Sequence, residues 1–146
     1  MQSVVFRPAR PDDMNAIVSL LKKSELPYED VDLDRQDFLV AVDEGRVRGI
    51  VGLEAAGEYG LLRSLAVDAS YRDRGNGGSL LDKIIAHARR KGFRELYLLT
   101  TTADKFFMRH GFERTERAAA PPALRETHEF RSACPASAVC MKKKIA

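Results

Sequence analysis

The sequence contains no tryptophan and only two cysteines, Cys134 and Cys140, in 146 residues. Two cysteines are too few for a disulfide framework, and their Cys-x5-Cys spacing is not that of a zinc site. A reduced, cytoplasmic protein is therefore expected. The histidines His87, His110 and His128 are scattered, so neither a metal site nor a histidine-centred nucleophile is expected. No apolar run approaches the ~18 residues that a membrane span needs. Residues 1–8 hold no basic stretch followed by a long apolar region, so no secretory leader is expected. Charge of one sign is scarce too: 24 basic against 21 acidic residues leave +3. The one basic run, Lys142-Lys143-Lys144, reads as a solvated strand end rather than a nucleic-acid footprint. Neither nucleic acid nor a membrane is expected as a partner.

With 45% hydrophobic and 31% charged residues, the composition is that of a globular protein. The length suits a single domain over residues 1–146. Val4 to Arg7 reads as a strand ended by Pro8 and Pro11. Asp12 or Asp13 can cap a helix to about Lys23, with Met14, Ile17, Val18 and Leu21 on one face. Residues 24–36 read as a loop with a short helix. Strands follow at residues 38–42, 47–55 and 59–67, the first two joined by an Asp43-Glu44-Gly45-Arg46 turn. Residues 75–91 carry a helical pattern (Leu80, Leu81, Ile84, Ile85, Ala88) stopped by Gly92. A strand at 95–101, a short helix at 104–110, a strand at 112–117, an irregular stretch at 118–136 and a strand at 137–145 complete the chain. The order β-α-β-β-β-α-β-α-β-β predicts an α+β, three-layer αβα fold with a mixed sheet.

The informative segment joins a strand, Leu65-Ala66-Val67-Asp68, to a helix through Arg72-Asp73-Arg74-Gly75-Asn76-Gly77-Gly78-Ser79. Glycines let a ligand approach the backbone, and the unpaired amides of a helix start suit an anion such as a pyrophosphate. A glycine-rich turn that merely begins a helix is the alternative. The segment is neither a dinucleotide fingerprint nor a P-loop, because the spacing of the first and the Gly-Lys-Ser/Thr of the second are missing.

Arg72-x-x-Gly75-x-Gly77 resembles the acetyl-CoA loop of the GNAT family of N-acetyltransferases. Ala103-Asp104-Lys105-Phe106-Phe107-Met108-Arg109-His110-Gly111-Phe112 resembles a second motif of that family. Within it, Leu62-Arg63-Ser64-Leu65-Ala66-Val67 and Leu99-Thr100-Thr101-Thr102-Ala103 are similar to amino-acid acetyltransferases of the N-acetylglutamate synthase type. Residues 122–130 and 134–138 resemble small GNAT proteins associated with bacterial arsenic resistance.

The resemblance implies a mostly antiparallel sheet splayed between strands 60–67 and 95–101, with the pantetheine arm of acetyl-CoA between them. Leu65, Ala66 and Val67 would supply backbone contacts. The pyrophosphate would rest on Arg72, Asp73, Arg74, Gly75, Asn76, Gly77, Gly78 and Ser79. Thr102 and Phe106 would flank the cofactor, and Phe107 is expected to be packing. The implied reaction is direct attack of an amine on the thioester, which needs a base, an oxyanion donor and a departing thiolate. The Leu65 amide is the candidate oxyanion donor.

The chain departs from the family at two positions. Phe107 stands where a tyrosine acid is usual, and Leu61 where some members carry a glutamate base. A thiol of pKa about 8.5 can leave unassisted or through water. Glu54 is the candidate base, with a solvent-facing strand role as its alternative, and Glu129 and Tyr59 are weaker candidates. Alternation places Leu61, Arg63, Leu65 and Val67 on one face and Ser64 on the other. An arginine in an apolar strand is costly to bury unpaired, so Arg63 has either an internal acidic partner or an anionic ligand. The latter would be the α-carboxylate of an amino-acid-like substrate, with Arg63 and Ser64 as substrate-binding residues.

The expected activity is acetyl transfer to the amine of a small, acidic, amino-acid-like molecule, with a detoxification role implied by the tail. N-acetylglutamate synthesis, protein N-terminal or lysine acetylation and a non-catalytic acyl-CoA sensor are the alternatives. The family also implies a homodimer, with residues 118–145 as a candidate interface.

Overall fold

A computed structural model describes residues 4–146; Met1, Gln2 and Ser3, which belong to the segment read for a leader, lie outside it. The strands are β1 (Val5–Pro8), β2 (Gln36–Asp43), β3 (Arg46–Ala56), β4 (Tyr59–Val67), β5 (Glu95–Thr100), β6 (Glu113–Thr115) and β7 (Val139–Lys144). The helices are α1 (Met14–Lys23), α2 (Asn76–Arg90), α3 (Asp104–Arg109) and α4 (Pro122–Arg125). One seven-stranded sheet runs in the order β1-β2-β3-β4-β5-β7-β6. Among the described residues, only the central β4–β5 pair is parallel. The α+β fold with a mixed sheet is as expected from the element order, and its mostly antiparallel pairing is as the resemblance implied.

Helices cover both faces. Against one, α2 buries Leu80, Leu81, Ile84, Ile85 and Ala88 beside Val51, Leu62 and Leu98. Each large side chain so buried contributes roughly 1.5–3 kcal/mol of transfer free energy. On the other face, Ile17, Leu20 and Leu21 of α1 pack on Phe38, Val40 and Ile50. Further along that second face, Leu124 and Phe130 pack on Leu61, Tyr97 and Cys140.

The central strand breaks the expected alternation. Ser64 has a left-handed φ of 60°, and the β3–β4 register slips there, Gly52 facing Arg63 but Ile50 facing Ala66. This is a β-bulge, and one extra residue reverses the parity of everything after it. Leu65 and Val67 consequently join the α2 side with Leu62, while Ala66 joins the α1 cluster. The expectation that Arg63, Leu65 and Val67 share a face is corrected accordingly.

Other differences lie in connections. Residues 24–35 contain turns but no helix. The stretch read as irregular holds a 3-10 turn (Arg117–Ala119), α4 and a π-helical turn (Glu129–Ala133). Neither Asp12 nor Asp13 caps α1 through its side chain. Asp13 instead accepts bonds from Arg7 at 2.7 and 3.1 Å and from the Arg10 amide at 2.7 Å. β7 pairs with β5 on one side and β6 on the other. The candidate dimer region therefore exposes no free edge of that strand. No helix among the described residues is long and apolar enough to cross a membrane.

Candidate active site

β4 and β5 pair only at Gly60–Leu96 and Leu61–Tyr97. Beyond that point β4 follows β3 through its bulge, and β5 follows β7 as far as Thr100–Val139. The two strands diverge, and the backbone of residues 62–67 has no β5 partner. A cleft of about 290 Å³ occupies the gap, walled by residues 62–67 on one side and 98–103 on the other. Bare strand edges facing a cavity need hydrogen-bond partners from water or a ligand.

The glycine loop lies just past the end of β4. Gly75 has φ of 82° and precedes α2, a conformation that costs a side-chain-bearing residue roughly 1–2 kcal/mol. The amides of residues 73–78 make no hydrogen bond to another described residue. The Ser79 amide is spent on the Gly75 carbonyl at 3.0 Å, and that of Arg72 on Ala69 at 3.4 Å. Those two amides are thus removed from the expected anion cradle. The side chain of Asn76 is structural as well, since its Nδ2 donates to the Tyr71 carbonyl at 3.2 Å. Arg72 Nε donates to the Val67 carbonyl at 3.0 Å, which places its guanidinium where loop and cleft meet. Arg74 lies over the Tyr71 ring. A Cβ on Gly77 would meet Phe106 at 3.7 Å and Val67 at 3.8 Å, so protein packing alone does not demand glycine there.

Thr102 lines the cleft, whereas Phe106 lies beside Gly77. Phe107 is buried edge-on to both Phe106 and Phe112, at 5.2 and 5.6 Å, and also lines the cleft. None of the four tyrosines lines it, so no phenol replaces the missing acid.

Arg63 is the centre of the other end. Its side chain is 0% exposed. Nη1 and Nη2 reach Asp30 at 2.5 and 2.7 Å, Nη1 reaches Glu54 at 3.0 Å, and Nε donates to Ser64 Oγ at 3.1 Å. Glu129 Oε2 lies 3.5 Å from Nε. Of the two possibilities left open by the sequence, the internal acidic partner is the one observed, and it comes three-fold. The expectation of Arg63 as a vacant carboxylate clamp is corrected: every nitrogen of its guanidinium already faces a protein oxygen. Burial opposes the charge on Arg63, but the Asp30 bond and the surrounding carboxylates hold its pKa above the ordinary value. Burial likewise works against ionised Asp30, and its bonds to Arg63 prevail and keep its pKa low.

Glu54 is also held by Gln36 Nε2 at 3.1 Å and is not part of the cleft wall. Tyr59 is remote, stacked edge-on against Tyr97. Glu129 does line the cleft. Burial pushes its pKa up to about 7, against the opposing charge of Arg63. Its remaining neighbour is the Cys134 thiol, 3.8 Å from Oε1. Burial and the Glu129 charge push that thiol up to about 12, so it stays protonated. The residues 24–27, Asp30, Cys134 and Pro135 were not picked out for this site from the sequence. Arg63 gave the one available signal, a buried cation demanding counter-charges from unspecified loops.

Comparison with known proteins agrees with this geometry. The chain is 28% identical over 137 residues to an amino-acid acetyltransferase of Shewanella oneidensis, covering 86% of this chain and 30% of that protein. It is 31% identical over 120 residues to one from Pseudomonas putida, covering 76% and 28%. It thus spans under a third of the length of these curated relatives. Among solved structures, N-acetylglutamate synthase from Neisseria gonorrhoeae, complexed with coenzyme A and N-acetyl-glutamate, superposes with a TM-score of 0.82 at 22% identity, over 100% of this chain and 36% of that one. A Mycobacterium tuberculosis protein in complex with coenzyme A gives 0.80 at 24% identity, over 96% and 98% of the two chains. The family model for the acetyltransferase (GNAT) domain matches residues 34–114, which include the splayed strands, the glycine loop and α3. The chain belongs to the GNAT acetyltransferase family.

Proposed function

We propose that the chain transfers an acetyl group from acetyl-CoA to the amine of a small, amino-acid-like molecule. The observation that carries the reading is the divergence of β4 and β5 beside the unpaired amides of residues 73–78. A cofactor with a peptide-like arm and a pyrophosphate fits both: the arm extends the sheet along residues 62–67, and the anion rests on the loop amides. Acetyl-CoA supplies an activated acetyl group. In this chain, Arg72 adds positive charge beside the pyrophosphate, and the Leu65 amide is the donor for the acetyl oxygen.

Glu129, rather than Glu54, is the proposed base. It lines the cleft, and a carboxylate of pKa near 7 is matched to removing a proton from an ammonium at neutral pH. With Phe107 in place of a phenol, the thiolate leaves without a protein acid, and proximity and orientation carry the larger share of the rate. The names of the curated relatives favour an amino acid as acceptor. N-acetylglutamate synthesis and the acetylation of arsenic-containing amino acids are the finer readings within this chemistry; the second rests on the resemblance of the tail. A cytoplasmic site of action fits the two free cysteines, and a homodimer remains the family expectation.

The test is acetyl-CoA binding by calorimetry together with thiol release across amino acids, acidic and arsenic-containing analogues, and peptides. Binding with turnover on small amines supports the proposal. Tight binding without turnover on any amine supports the acyl-CoA sensor, and absence of binding rejects both.

A further inference from the structure

Glu129 is carried by neither a strand nor a long helix. It opens the π-helical turn Glu129–Ala133, which the Cys134 amide closes by donating to the Glu129 carbonyl at 3.1 Å. Glu129, Ala133, Cys134 and Pro135 together make one wall of the cleft. A single turn has no neighbouring turns to share its backbone bonds, so its position depends on contacts from outside it. The Phe130 side chain supplies one such contact, packed on Leu61, Tyr97 and Cys140.

Arg117 supplies another, and it reaches both ends. It begins the 3-10 turn Arg117–Ala119 that follows β6. Its Nη2 donates to the Phe130 carbonyl at 2.6 Å and to the Cys134 carbonyl at 3.4 Å. Its Nη1 donates to the Pro135 carbonyl at 2.7 Å, and the guanidinium lies over the Phe130 ring. One planar fork thus joins the residue after Glu129 to the two residues that leave the turn. Such bonds to a cation are stronger than neutral ones. An ammonium has a single nitrogen and cannot reproduce the fork.

We propose that Arg117 is a positioning residue for acetyl transfer: by tying together the carbonyls of Phe130, Cys134 and Pro135, it fixes where the Glu129 carboxylate stands in the cleft. The proposal rests on the reading of Glu129 as the base. Arg117 is not part of the cleft wall and acts only through the turn. Arg63 steadies the carboxylate from the strand side, 3.5 Å away, and Arg117 steadies the backbone from which it projects. A base works only within hydrogen-bond reach of the proton it removes, and a displacement of about 1 Å can cost about 100-fold in rate.

The experiment compares Arg117→Lys and Arg117→Gln with the parent, by thiol release on the amino acid turned over fastest in a panel that includes glutamate. Melting curves verify folding, and calorimetry gives acetyl-CoA affinity. Both variants should lose about 10- to 100-fold in kcat/KM and keep acetyl-CoA affinity, because the fork and not the charge holds the turn. The groups that face Glu129 are Arg63, Asp30, Glu54 and the Cys134 thiol, and His128 acts on Asp30. None of them is altered, so the pH profile reports the turn itself. A loosened turn admits water to Glu129, and the rise of kcat/KM near pH 7 should move toward the ordinary 4.5. Added to Glu129→Gln, Arg117→Lys should cause no further loss. A measurement without variants is amide exchange in the parent, where the Cys134 N–H should be as protected as the sheet.

Parental kcat/KM in Arg117→Lys, an unmoved pH profile, full additivity with Glu129→Gln or rapid exchange at Cys134 would overturn the proposal. If Glu129→Gln is impaired and the Arg117 variants are not, the base stands and this proposal alone fails. Full activity of Glu129→Gln would instead remove the base on which it rests, and no acetyl-CoA binding by the parent would remove the acetyltransferase reading first.

Discussion

Glu129 Oε2 sits 3.5 Å from Arg63 Nε, while the two terminal nitrogens of the same guanidinium are bound to Asp30 and Glu54. Arg63 is close enough to hold Glu129 in place and too committed elsewhere to neutralise it fully. A buried carboxylate in that position keeps its proton up to about pH 7, which suits it to accept and release one under ordinary conditions.

Glu129→Gln removes the proposed base and keeps the shape. Its kcat/KM should fall about 10²- to 10⁴-fold, with coenzyme A affinity retained in calorimetry. In the unaltered protein, kcat/KM should rise with pH through about 7, because only ionised Glu129 accepts a proton. A flat profile across that range would exclude Glu129 from the proton transfer.

The same carboxylate makes stability depend on pH. Its folded pKa of about 7 lies above the ordinary 4.5, so between those values the folded chain binds a proton that the unfolded chain has released. Stability contributed through Glu129 therefore falls as pH rises from about 4.5 to about 7, and changes little above that. Urea melts of the protein and of Glu129→Gln at several pH values check this. The variant should lack that decline.

Removing the shared cation is expected to be costly. Arg63→Met leaves three carboxylates around an apolar side chain, and breaking a buried ion pair on one side costs about 3–5 kcal/mol. Arg63→Lys should lose less, since an ammonium can hold one or two of these partners but not the bidentate pair with Asp30. Thermal melts at neutral pH give the order. Equal stability of Arg63→Met and the parent would mean that the cluster is not a structural element.

Gly77→Ala separates folding from ligand binding. The added methyl makes ordinary contacts of 3.7 and 3.8 Å with Phe106 and Val67, and alanine in a helix is favoured over glycine by up to ~1 kcal/mol. The melting temperature should hold or rise. Coenzyme A affinity should drop, since the methyl stands on the backbone proposed to cradle the pyrophosphate. Unchanged affinity would move the anion away from this loop.

The glycine loop and the helix after it were legible because both are local. Arg72, Gly75 and Gly77 lie within six residues, Gly75 takes a left-handed φ, and the buried face of α2 follows a 3.6-residue period. The succession of strands along the chain was legible for the same reason, each strand carrying its own pattern and turn residues, whereas the insertion of β7 between β5 and β6 was not. Residues 118–136 were not, because the short turns there have little periodicity and owe their form to packing on Leu61, Tyr97 and Cys140.

Neighbouring residues and their spacing thus sufficed to reveal the family, the mixed sheet and the glycine loop, since loop geometry and hydrophobic period are properties of a few consecutive positions. The cluster around Arg63 arises differently. The Ser64 bulge reverses which side chains share a face, and Asp30, Glu54 and Glu129 come from three separate parts of the chain to one guanidinium. Arg63 announced that a buried cation required counter-charges. Which carboxylates supply them, and that they outnumber it, is a consequence of how distant segments pack, because electrostatic pairing depends on distance in space and not on separation along the chain.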